Sequence, residues 1–132
     1  MDSKLTLFSQ IISKIDRGIF KKIVIEKKTD YRNKGFDSWN HLVSMLFCHF
    51  AKSTSVRDIS NGLRSATGNL NHLGIKTAPS KSSISYQNGK RDADLFKDVY
   101  FKLLEQLGQH TKERRIKLKI KVPVYLLDST LI

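Results

Sequence analysis

The 132-residue chain carries 24 Lys and Arg against 12 Asp and Glu, a formal net charge of +12 with a pI near 10.0. Hydrophobic residues make up 39%, enough for a packed core and too many for wholesale disorder. The single cysteine, Cys48, excludes an internal disulfide and a cysteine-built zinc site, and no stretch approaches the roughly 18 apolar residues of a membrane span.

A basic excess of this size on a short chain is the electrostatic footprint of a polyanion partner. No unbroken apolar segment follows the N-terminus, so the expected location is cytoplasmic. The charge falls in blocks. Residues 1–35 hold nine bases and four acids, residues 36–75 three and two, and residues 76–122 twelve and five. This is the pattern of a nearly neutral scaffold presenting two basic surfaces.

Helical periodicity dominates the chain. Leu5, Phe8, Ile11, Ile12 and Ile15 recur at steps of three and four and predict a first amphipathic helix. Asp16 suits the cap of a second, with Ile19, Phe20, Ile23 and Val24 on one side and Lys27 and Lys28 at its C-terminal end. Residues 29–36 read as a loop, with Asp30, Asn33 and Gly35 as turn formers. Asp37 or Ser38 caps a third helix through about Lys52. Its apolar set of Trp39, Leu42, Val43, Leu46, Phe47 and Phe50 makes it the expected centre of the core, and Cys48 reads as a packed thiol there. Ser55 and Asp58 resemble a capping box ahead of Val56, Ile59 and Leu63, in a helix ending by Gly68. Residues 69–79 form a connector rich in Asn and Gly. Ser80 then caps a short polar helix to Arg91, and Asp92 caps a long one to about Gly108, with Leu95, Phe96, Val99, Leu103 and Leu107 facing inward.

Beyond residue 110 the pattern changes. Residues 111–121 read as a basic linker, and Val122 to Leu127 form a nearly continuous apolar run typical of a strand covered on both faces. No partner strand is legible upstream. The expected fold is therefore mainly α, with a helical DNA-binding domain over 1–110 containing a helix-turn-helix-like unit. Residues 122–132 are the expected first, orphan β-strand of a further domain.

The helix opened by Ser80 is the candidate reading element. With Ile84 turned inward, its opposite face carries Ser82, Ser85, Tyr86, Gly89 and Lys90. Hydroxyls and cations of this kind meet base edges and phosphates, and a glycine permits close approach. Lys81 lies at the N-terminal end, where the dipole favours a phosphate, and Arg91 closes the set. The alternative is a solvated Ser-rich helix without a ligand, and the long connector departs from a minimal helix-turn-helix. His41, His49, His72 and His110 lack companions at metal-ligand spacing and read as structural. Trp39 and Phe36 read as core anchors.

Four segments carry a resemblance: Gly35 through Leu46, Thr54 through Leu63, Leu70 through Gly74, and Pro79 through Ser85. In this order they resemble the N-terminal region of bacterial insertion-sequence DDE transposases, whose catalytic domain has an RNase H-like fold. The resemblance implies recognition of transposon terminal repeats in double-stranded DNA, a homodimer in a synaptic complex, and a nucleoid-associated protein. Tyr125-Leu126-Leu127-Asp128-Ser129-Thr130 looks like the strand that ends in the first catalytic Asp, making Asp128 a Mg²⁺ ligand in a full-length parent. Without the resemblance, Asp128 reads as a cap or turn residue. The sequence given stops at Ile132, before any second Asp or Glu of such a site. The expectation is a truncated parent whose fragment needs no cofactor, binds DNA and does not cut it. A stand-alone DNA-binding regulator and a helical interaction domain are the competing readings.

Overall fold

A computed structural model describes residues 3–66 and 69–113. Among them the chain is mainly helical, with six α-helices: α1 (Ser3–Ser13), α2 (Arg17–Lys27), α3 (Ser38–Phe50), α4 (Val56–Ser65), α5 (Lys81–Lys90) and α6 (Asp94–Glu113). A 3₁₀ turn over Leu70–Leu73 lies between α4 and α5. No described helix is long and apolar enough to cross a membrane.

Side-chain caps set where the helices begin. The carboxylate of Asp16 accepts from the Ile19 amide at 3.0 Å and that of Asp37 from Asn40 at 2.8 Å. The hydroxyls of Ser55 and Ser80 accept from Asp58 and Ser83, both at 3.1 Å. Each satisfies one of the amides a helix leaves unpaired in its first turn. Of the two candidates ahead of α3, Asp37 is the cap. Ser38 is fully buried instead, its hydroxyl beside Thr29 Oγ1 and Asp30 Oδ1. Asp58 reaches back to the amide and hydroxyl of Thr54. These bonds, the Thr54 hydroxyl first, hold its carboxyl below the usual range.

One face of each helix closes the core. Trp39, Leu42 and Val43 of α3 pack with Phe8 and Ile12 of α1, Phe20 and Ile23 of α2, and Ile59 and Leu63 of α4. Phe8 meets Phe47 edge-on with ring centroids 5.6 Å apart, and Phe20 meets Trp39 likewise at 5.3 Å. The connector is not merely a linker. Leu70, Leu73 and Ile75 are buried in the same core, and the Trp39 indole N–H donates to the Leu73 carbonyl at 2.8 Å. The Ser60 hydroxyl donates to the Pro79 carbonyl, tying α4 to the start of α5.

Helix α6 departs from expectation at its far end. It runs on to Glu113, past the expected end near Gly108, and Leu107 is 60% exposed where an inward position was expected. The reason is length. At about 1.5 Å per residue α6 is nearly twice as long as α2, against which it packs, so its far end runs on past its partner. Leu95 and Val99 are buried there. The rest of the expected linker, the run 122–127 and Asp128 lie outside the described residues.

Candidate nucleic-acid interface

The site is built from the loop after α2, the exposed side of α5 and the buried junction joining them. Arg91, the residue after α5, makes the junction. Its side chain is 2% exposed. Nη2 donates to the Phe36 carbonyl at 2.8 Å and lies 3.6 Å from Asp30 Oδ1. Nη1 donates to the Asp37 carbonyl at 3.3 Å and to His41 Nδ1 at 3.1 Å. Nε is buried without a hydrogen-bond partner. Burial pushes the guanidinium down from its ordinary value, and Asp30 and Asp37 oppose that shift. Asp30 also receives the Ser38 amide at 2.8 Å. The planar fork thus clamps the 29–37 loop onto the end of α5, a task suited to Arg and not to a single ammonium. Arg91 was expected on the ligand-facing set. The structure turns its Nη1 and Nη2 donors to partners inside the protein, while the residue also borders the cleft beside α5.

His41 sits at the centre of the junction. Because a guanidinium can only donate, Nδ1 must accept, and the proton sits on Nε2, which faces Asn88 Oδ1 of α5. The ring is buried, with Phe96 edge-on at 5.0 Å. Burial lowers its pKa from 6.5, the Asn88 bond raises it, and Arg91 lowers it further. The neutral form is therefore the folded form. As pH falls below 6.5 the unfolded chain takes up the proton first, so stability declines from there through the lower folded value. The melting temperature is expected to be flat above pH 7 and to fall as pH drops below 6.5. Replacing His41 with Gln should lower stability at pH 7.5 and flatten that decline. An equally steep decline in the variant would assign the effect elsewhere. Asp58 acts in a separate window, below about 4, where protonation breaks its bonds to Thr54.

The clamp leaves a cleft of about 620 Å³ between the loop and α5. One wall is Lys27, Lys28, Thr29, Tyr31, Arg32, Asn33 and Lys34. The other is Ser83, Tyr86, Gln87 and Lys90, with Asp92 at the end of the helix. Tyr31 is 71% and Tyr86 60% exposed. The Arg32 guanidinium lies 5.3 Å from the Tyr31 ring centroid, and the Lys90 ammonium donates to the Tyr86 hydroxyl at 2.9 Å. Lys27 is partly engaged by Asp98 at 3.2 Å.

Helix α5 sits as its sequence predicts. Ile84 is its one buried residue, and Lys81, Ser82, Ser85, Tyr86, Gly89 and Lys90 are exposed. A side chain built on Gly89 would meet nothing within 4 Å. By helical geometry Tyr86 and Lys90 lie at the seam between the outer face and the cleft, with Ser82, Ser85 and Gly89 turned away from the loop. Sequence reasoning missed the loop wall of Lys28, Tyr31, Arg32 and Lys34. The basic block in residues 1–35 was the available signal, but nothing local places it beside α5. The bond that does so joins Arg91 to Phe36, 55 positions apart.

A family described as a domain of unknown function, DUF4372, matches residues 3–76. The chain belongs to the DUF4372 family. The DUF4372 segment supplies α1 to α4, the 3₁₀ turn and the loop wall of the cleft, whereas the α5 wall follows it. No curated protein and no solved structure matches the chain.

Proposed function

We propose that this chain is a duplex-DNA-binding unit that recognises transposon ends, at the front of a DDE-type transposase. The observation that carries the reading is α5: a helix with a single buried side chain, exposing hydroxyls, a glycine and two lysines beside a cation-lined cleft. A helix so polar outside its one anchor fits a polar partner, and a net charge of +12 fits a polyanionic one. In this reading α4, the connector and α5 act as a helix-turn-helix-like unit, with α5 as the element that enters the major groove. The wider link to transposition rests on the resemblance of the motifs and on the occurrence of DUF4372 in transposase-like proteins.

Mg²⁺ belongs to the proposed parent. Asp128 would be one of its ligands, beside the further carboxylates that two-metal chemistry requires. No chemical step is assigned to these 132 residues, whose proposed role is binding without cleavage.

The test is duplex binding by fluorescence anisotropy across a salt series, with the element's terminal repeats and a scrambled control. Tighter, salt-weakened binding to the ends is the expected result. Absence of duplex binding at low salt would overturn the reading. Gly89→Leu separates function from fold. A Cβ at this exposed position meets nothing within 4 Å, and losing a helical glycine gains roughly 0.5 kcal/mol of stability. It nevertheless blocks close approach to the groove, so affinity for the ends should fall about tenfold or more while the melting temperature holds or rises, the tenfold corresponding to about 1.4 kcal/mol. Unchanged affinity would remove α5 from the groove.

A further inference from the structure

The loop wall suggests a division of labour within the site, and this step rests on the DNA-binding reading above. We propose that the cleft between the 28–34 loop and α5 seats the phosphate ridge of one strand of the duplex. The loop acts as a sequence-independent clamp, and the outer face of α5 reads the adjoining groove.

Three observations carry it. First, the lining is suited to phosphate oxygens. Lys27, Lys28, Arg32, Lys34 and Lys90 supply cations, with the clamped Arg91 beside them, and Thr29, Tyr31, Asn33, Ser83, Tyr86 and Gln87 supply neutral donors. Asp92 is the one acid and Phe36 the one purely apolar side chain among the lining residues. Bases splayed from a single strand would call for more apolar or aromatic floor. Second, the cleft is concave and flanks α5 along one side. A helix in a major groove is bordered by the strand backbone, so the ridge falls where the cleft opens. Third, the loop spends backbone freedom on its cations. Lys28 has φ 54° and Arg32 φ 58°, left-handed conformations in which an L-residue is disfavoured and Gly or Asn is the relaxed choice. Packing fixes neither side chain, since both are exposed. The C-terminal dipole of α2 favours a base at Lys28, and a phosphate ligand accounts for Lys28 and Arg32 together.

The backbone argument also makes the test clean. In Lys28→Gly/Arg32→Gly, two cations go and two strained positions relax, so the fold should melt at the same temperature or higher. Affinity is read for the end repeat, the scrambled duplex and the single strand of the end sequence across a salt series. The variant should lose affinity for both duplexes by a similar factor. The slope of log K against log salt should fall in magnitude by about 0.9 for each phosphate contact removed, so by about 2 here. Lys52→Gly is the control. Lys52 also has a left-handed φ, 53°, but lies outside the cleft, so the same chemical change there should leave the slope nearly untouched. Lys28→Gln/Lys34→Gln, which keeps side chains at both positions, should reproduce the loss if the glycine variant fails to fold.

An unchanged slope in the loop variants, with wild-type binding intact, would overturn the clamp and leave end recognition by α5 standing. Loss confined to the end repeat would overturn it too, because it would make the loop a reader of sequence. Tighter binding of the single strand than of either duplex would assign the cleft to unpaired DNA. No wild-type binding to any duplex would bring down the DNA reading itself and the clamp with it.

Discussion

Arg91→Ala is expected to lower stability by about 3 kcal/mol, which for a domain of this size lowers the melting temperature by roughly 10 °C. The loss does not come from surface charge. It follows from the acceptors stranded when the guanidinium goes: the Phe36 carbonyl, His41 Nδ1 and the carboxylate of Asp30, in a junction where the side chain is 2% exposed. Asp30 keeps the Ser38 amide and is itself about a third open, which holds the cost to the lower part of the range for a broken buried pair. Arg91→Lys should recover little, because one ammonium cannot serve acceptors spread over two carbonyls, a ring nitrogen and a carboxylate. Lys90→Ala, one position away and exposed, should stay within about 0.5 kcal/mol of wild type. Thermal melts followed by circular dichroism decide the matter. A loss under 1 kcal/mol for Arg91→Ala would mean that water replaces the clamp.

The contrast between Lys90 and Arg91 shows what the sequence could and could not reveal. Two adjacent bases close a polar helix, and composition offers no reason to separate them. One faces solvent and the other anchors a loop 55 positions upstream. Local signals were legible because their causes are local. Asp16, Asp37, Ser55 and Ser80 cap helices through bonds three residues ahead, and the solitary Ile84 fixes the rotation of α5. Misreadings arose where tertiary contact overrides composition. The Asn- and Gly-rich composition of the connector gives no sign of burial, yet its Leu70, Leu73 and Ile75 complete the core. Leu107 continues the apolar stripe of α6 but lies where α2 no longer covers it. The cleft is the same problem at larger scale: the α5 wall is legible as a polar helix, the loop wall only as part of a basic block, and their adjacency is made by long-range bonds.

That dependence on the connector leads to the second large effect, at Gly74. The residue closes the 3₁₀ turn with φ 73°, a conformation that costs an L-residue about 1–2 kcal/mol. A Cβ there would also lie 2.9 Å from Trp39 Nε1, with the Arg17 guanidinium, itself stacked 4.2 Å from the Trp39 ring centroid, in the way. Arg17 is exposed and can swing aside. Trp39 is buried, and its N–H is held by the Leu73 carbonyl, so relief there costs a buried hydrogen bond. Gly74→Ala should therefore destabilise by about 3 kcal/mol, the backbone and the clash contributing comparably. Two companion variants divide that total. Gly74→Asn tolerates the left-handed backbone but keeps the clash, and should cost less than Ala. Trp39→Phe removes Nε1, so combined with Gly74→Ala it should cost roughly 1 kcal/mol less than the two single losses added together. Strict additivity would show that the clash with Trp39 is relieved elsewhere and that backbone conformation alone requires glycine at this turn.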